Sequence, residues 1–104
     1  MNKIVVMVCN VGKNPTLMEI ENDLNSLQSI VEGHIEMVRL PYKEEIILIC
    51  NEEGKLLELA PQLELGNDVI CGNFLLVRDK MDGDITSLNS EDIDYIQTTF
   101  GFTL

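Results

Sequence analysis

The sequence predicts an α+β domain: a mainly antiparallel sheet of five to six short strands, one helix after the first strand and one C-terminal helix. Three observations carry that prediction. Short β-branched or apolar runs at 3–9, 45–51 and 74–78 have strand length. Two other stretches repeat apolar residues at helical spacing. The order is strand, helix, several strands punctuated by turn residues, then helix.

Lys3 to Cys9 reads as a strand buried on both faces, because Ile4-Val5-Val6-Met7-Val8 has no polar interruption. Asn10 to Pro15 is turn chemistry. Thr16 to Glu19 fits either a short extended segment or a helix lead-in. Ile20, Leu24, Leu27 and Val31 form a helical stripe, and Gly33 sits where a left-handed residue is expected to end that helix. His34 to Leu40 is a second strand stopped by Pro41, and Glu45 to Asn51 a third. Glu52-Glu53-Gly54-Lys55 has the look of a tight turn with its glycine left-handed, with Leu56 to Ala60 returning antiparallel. Gln62 to Gly66 reads as a loop, and Asn67 to Cys71 as either one helical turn or the start of a strand. Phe74 to Arg78 is a strand, and Asp82-Gly83 a hairpin turn that returns through Ile85 to Leu88. Asn89 caps a final helix over about Ser90 to Thr99. Asp92 stands at the reciprocal position of a capping box, and Ile93, Ile96 and Phe100 face the core.

The chain is 104 residues long with no linker or repeat, so residues 1–104 read as a single domain. Hydrophobic residues make up 45% of it, enough to exclude an intrinsically disordered chain. Seven Lys and Arg against 18 Asp and Glu give a net charge of −11. Nucleic acids and anionic membranes are bound by cations, so direct binding to either is not expected. No apolar run approaches the ~18 residues of a membrane span, and Met1-Asn2-Lys3 leads into a strand pattern rather than a signal peptide. Cys9, Cys50 and Cys71 are isolated and odd in number, which suits buried thiols in a reducing cytoplasm rather than disulfides or zinc.

Several segments resemble a small family known as a domain of unknown function, met in Gram-positive bacteria and their plasmids, phages and conjugative elements. The segments are Leu24-Asn25-Ser26-Leu27-Gln28 with Val31-Glu32-Gly33-His34-Ile35-Glu36, then Cys50-Asn51-Glu52-Glu53-Gly54-Lys55. Leu65-Gly66-Asn67-Asp68-Val69-Ile70-Cys71-Gly72 and Ser87-Leu88-Asn89-Ser90-Glu91 follow in order. The likeness spans residues 3 to about 96 and implies no activity, cofactor or catalytic residue. Where that family often has a second glycine after the helix valine, this chain has Glu32.

Chemical constellations are sparse. His34 is the single histidine, and each cysteine is flanked by apolar residues that raise a thiol's pKa. Gly83 placed at the sixth position of a calcium loop puts Arg78 and Lys80 where anions are required and Asn89 where a bidentate Glu belongs, so the motif fails. Gly12-Lys13 and Gly54-Lys55 lack the upstream glycine and the following Ser or Thr of a phosphate loop. No catalytic residue, metal site or cofactor is expected, and the chain is not expected to be an enzyme. Asn67, Asp68 and Gly72 are the binding candidates, because two hydrogen-bonding side chains precede three apolar residues between Gly66 and Gly72. The alternative for these residues is a capped turn and a close backbone approach. Acidic residues are dispersed from Glu19 to Asp94 and interrupted by Lys13, Arg39, Lys43, Lys55, Arg78 and Lys80. The expected function is a cytoplasmic, non-catalytic accessory or protein-interaction module of mobile elements with an unidentified protein partner. The alternative is an acidic nucleic-acid mimic that blocks a basic DNA-binding protein.

Overall fold

The structure is a computed structural model that describes residues 2–104. Its elements are β1 (Lys3–Cys9), β2 (Thr16–Glu21), α1 (Leu24–Val31), β3 (Ile35–Leu40), β4 (Lys43–Asn51), β5 (Pro61–Leu65), β6 (Asp68–Cys71), β7 (Phe74–Asp79), β8 (Ile85–Thr86) and α2 (Ser90–Phe100). The main sheet runs β2-β1-β7-β4-β3 with β8 beside β7, and every pairing is antiparallel. β5 and β6 form a separate two-stranded ribbon. The α+β architecture with a mainly antiparallel sheet and two helices is the one the sequence predicts.

The three central strands are apolar on both faces because both faces are covered. Side chains alternate across a strand, and here each alternate set enters a different core. Val6, Val8, Ile47, Ile49, Leu75 and Val77 pack beneath α1 with its Leu27 and Val31. Met7, Ile46, Leu48, Phe74 and Leu76 pack on the opposite face with Ile96 of α2 and with Leu65 and Ile70 of the ribbon. That burial explains why 3–9, 45–51 and 74–78 are unbroken apolar runs rather than alternating ones.

Both helices start as capping chemistry dictates. Asn89 Oδ1 accepts the Asp92 N–H at 2.8 Å, and Asp92 Oδ2 accepts the Asn89 N–H at 3.0 Å. Asp92 is fully buried, and its Oδ1 also accepts from Arg78 Nη1 at 2.7 Å. One carboxylate thus caps α2 and ties it to β7.

α1 is shorter than its apolar stripe. Asp23 caps it by accepting the Ser26 N–H at 2.8 Å, so Ile20 belongs to β2 instead, and the ambiguous Thr16–Glu19 segment is strand. Ile20 still points at the α1 core, which is why strand and helix together imitate one helical stripe.

The glycines at the turns differ from expectation. The left-handed residue ending α1 is Glu32, at φ 62, and not Gly33. Gly33 answers a need for space: a Cβ there would lie 2.7 Å from Asn51 Nδ2. Asn51 is buried, donates to Val31 O at 3.1 Å and accepts the Glu53 N–H at 2.7 Å, so it pins the end of α1 to the end of β4. Gly54 is likewise not left-handed; its Cβ would meet the Cys71 carbonyl oxygen at 2.6 Å.

Between β4 and β5 the chain makes successive turns rather than an antiparallel return over 56–60. No strand returns along β4; the next strand, β5, starts at Pro61, takes in most of the Gln62 to Gly66 segment expected to be a loop, and pairs with β6. Proline is tolerated there because it opens a strand. The pairing of β5 with β6 slips between Pro61 and Leu63, and the Gln62 side chain turns away to donate to both Cys9 O and Gly72 O at 2.8 Å. Gly66-Asn67 closes the ribbon as a two-residue turn with Gly66 at φ 63, which makes Asn67 a turn residue and Asp68 to Cys71 strand.

Candidate functional site

A partly enclosed depression of about 300 Å³ lies where the end of β4, the 52–58 turns and β6 meet on the α2 face of the sheet. Its polar groups are Glu36 of β3, Cys50 and Asn51 of β4, Glu52 and Glu53, Lys55, and Asp68 with Cys71 of β6. Register explains part of this convergence, since Glu36 is paired with Cys50 across β3 and β4. Gly54 supplies the rest, because only a residue without Cβ lets the 52–58 turns lie against the Cys71 carbonyl.

Lys55 Nζ and Asp68 Oδ1 form an ion pair across the mouth, and Asp68 Oδ1 also accepts the Val69 N–H at 2.8 Å. The ammonium of Lys55, then the Val69 amide, hold the Asp68 carboxyl below its ordinary value. Asp68 in turn raises Lys55. Both groups are therefore charged and engaged with each other. The thiols are in the opposite condition. Burial, then the nearby Glu36 carboxylate, pushes Cys50 up to about 11, with Sγ 4.0 Å from Glu36 Oε1. Burial alone pushes Cys9 up to about 12. A protonated thiol is a poor nucleophile and a poor metal ligand. Cys71 is half-buried, so the expectation of three buried cysteines holds for Cys9 and Cys50 only.

The three binding candidates do not converge. Asp68 lines the depression. Asn67 is exposed in the ribbon turn. Gly72, at φ 87, packs against Leu59, and its N–H donates to Ala60 O at 2.8 Å. The structure thus gives Gly72 a close-approach role and leaves Asp68 with an electrostatic one. Lys55, Glu36 and Cys50 are not legible as site residues in the sequence, because strand register and a glycine contact bring β3, the 50–55 segment and β6 together from distant parts of the chain. His34 is exposed, and its carbonyl accepts the Glu52 N–H at 2.8 Å. Among the described residues no cluster of three or more His, Cys, Asp or Glu could hold a metal ion, and no helix is long and apolar enough to cross a membrane.

The ordered segments of 24–36, 50–55, 65–72 and 87–91 occupy α1 with its left-handed end, the 52–58 turns, the ribbon and the α2 cap. A family model described as a domain of unknown function, DUF3846, matches residues 1–101. The chain belongs to the DUF3846 family. Neither a curated protein nor a solved structure matches it. Within this DUF3846 domain two adjacent leucines stand exposed at the depression. Leu56 is 77% and Leu57 55% exposed. The turns that carry them are held by Leu57 N–H to Glu53 O at 2.8 Å, Glu58 N–H to Lys55 O at 3.1 Å and Leu59 N–H to Gly54 O at 2.9 Å. Glu58 takes a left-handed φ of 56 to complete the run.

Proposed function

We propose that this DUF3846 domain is a non-catalytic protein-interaction module of the cytoplasm, associated with mobile elements. The observation that carries the reading is the pair Leu56 and Leu57, held in water on a hydrogen-bonded scaffold beside an acidic depression. Burying one leucine contributes roughly 1.5–3 kcal/mol, so two leucines kept outside a small domain are an interaction surface in waiting. The neighbouring groups support binding over turnover: Lys55 and Asp68 neutralise each other, and Cys50 is protonated. Three unpaired cysteines support a reducing compartment. The likeness to sequences of plasmids, phages and conjugative elements supports the mobile-element setting.

The acidic-mimic alternative requires one continuous face of carboxylates. Glu19 and Glu21 lie on one edge of the sheet, Glu36 on the other, and Glu91 and Asp94 on α2. Asp79 and Asp92 are buried and paired with Arg39 and Arg78. The interaction reading is therefore preferred.

The test replaces both leucines by serine. L56S/L57S is expected to keep the wild-type circular dichroism and to lose the partner that wild-type protein captures from native-host lysate. Capture that ignores the double substitution, or catalytic turnover by the pure domain, overturns the proposal.

A further inference from the structure

A second surface lies at the far edge of the sheet and on the opposite face from the depression, and it does not depend on the reading above. Among the described residues β2 pairs with β1 on one side and with no strand on the other. Edge strands are usually blunted by charged side chains, lysine above all, by proline or by a bulge, because an open ladder recruits other chains. β3, the other edge, is interrupted by a register shift between Arg39 and Leu40. β2 has no such interruption: its pairing runs unbroken from Lys3↔Glu21 to Val8↔Thr16, and Thr-Leu-Met-Glu-Ile-Glu contains neither lysine nor proline.

The two faces of β2 differ in chemistry. Thr16, Met18 and Ile20 stand opposite Val8, Val6 and Ile4, on the α1 face. α1 packs over β4, β7 and β3, which leaves a shallow groove of about 460 Å³ between α1 and β2. Met18, Ile20 and Ile30 form its apolar lining beside the polar Glu21, Asp23, Asn25, Ser26 and Ser29, and Met18 is 44% exposed. By register Leu17, Glu19 and Glu21 alternate to the other face, and Glu21, the last residue of β2, also lines the groove. Neither glutamate has an ion-pair partner among the described residues, although Lys3 stands opposite Glu21 in register.

We propose that β2 accepts an extended segment of a partner protein in which apolar residues alternate with Lys or Arg. Main-chain bonds to the open edge supply affinity and the alternating side chains supply specificity. The apolar set lies over the Met18 groove while the basic set falls beside Glu19 and Glu21, each cross-strand pair adding to the whole. A second copy of this chain is the wrong occupant. Antiparallel pairing of β2 with itself keeps like faces together and sets glutamate beside glutamate between two chains of net charge −11.

The test uses a fluorescent heptapeptide with blocked ends, alternating valine with lysine, and an isomer of the same composition with its lysines in one block. Fluorescence anisotropy is expected to show the alternating peptide binding at least tenfold tighter than the block isomer. Hydrogen exchange should slow at 16–21. M18K and E19K/E21K, both at exposed or half-buried side chains, should each weaken binding at least tenfold, while L56S/L57S leaves it unchanged. Equal binding of the two isomers, which bulk charge alone would produce, overturns the proposal. So does protection mapping to another element, or a sedimentation shift showing that β2 pairs with a second copy.

Discussion

Replacing Asp92 with alanine should cost this domain about 3 kcal/mol. The carboxylate is 1% exposed and satisfies two partners at once, Arg78 Nη1 at 2.7 Å and the Asn89 N–H at 3.0 Å. Removing one member of a buried pair typically costs ~3–5 kcal/mol, because the other is stranded. Arg78 keeps 31% of its side chain in water and can rehydrate, so the ion-pair loss falls below that range, at roughly 2 kcal/mol. Losing half of the capping box adds roughly 1 kcal/mol. Against the ~5–15 kcal/mol expected of a whole domain, that is a large share. It corresponds to a fall in Tm of roughly 12–24 °C at this chain length. The assay is urea unfolding followed by circular dichroism, with the slope checked for constancy. Asn89→Ala, which removes only the other half of the cap, should cost roughly 1 kcal/mol. In a cycle with Arg78→Met, the two single losses should exceed the double loss by roughly 2 kcal/mol. If D92A costs no more than N89A, or if the cycle is additive, the clamp between β7 and α2 is not what holds the helix.

Further outcomes concern the left-handed helix end, the thiols and the carboxylates. Glu32→Gly should stabilise by about 0.5–1 kcal/mol in the same urea assay, since it relieves a φ of 62 at a position where glycine is at ease. In native protein a thiol reagent should modify half-buried Cys71 first, with Cys9 and Cys50 reacting only on unfolding; rapid labelling of all three contradicts the packing of β1 and β4. Because Cys9 and Cys50 are raised to about 12 and about 11, unfolded thiols ionise first. Urea midpoints should therefore hold below about pH 9 and fall as pH rises towards those values. Asp23, Asp68 and Asp79 are lowered, chiefly by the Ser26 amide, the Lys55 ammonium and the Met81 amide respectively. The stability they lend is present above the unfolded value of about 4 and is lost as pH falls below it through the lowered folded values, so Asp79→Asn should flatten the acid limb of a midpoint-against-pH curve.

Elements defined by local chemistry were legible in the sequence. β1, β4 and β7 show because burial on two faces leaves continuous apolar runs, and α2 shows because Asn89 and Asp92 spell a capping box. The errors have physical causes. Ile20 joined the α1 stripe because a strand residue leaning onto the same core happens to precede Leu24 by four. Gly33 and Gly54 pointed to left-handed turns, but they serve contact with Asn51 and with the Cys71 carbonyl, while Glu32 and Glu58 carry the left-handed backbone. β5 was hidden by Pro61 and by Gln62, whose side chain serves β1 and Gly72 instead of its own ribbon. Of the depression, only Asp68 was visible beforehand. Its companions depend on which strands pair, and that information is tertiary.

The place of β7 in the sheet also governs how the chain must assemble. β7 joins β1 to β4, with Met7 paired to Leu76 and Leu48 to the same residue, so the centre of the sheet is made by a late segment of the chain. Before 74–79 emerges during synthesis, β1 with β2 and β4 with β3 exist only as two hairpins, each presenting an apolar strand with no inner neighbour. Loop closure across such separations is slow, and high contact order delays the reward for it. The nascent chain therefore carries two sticky halves until its last third is available, and its yield in a cell depends on how well those halves are kept apart while they wait.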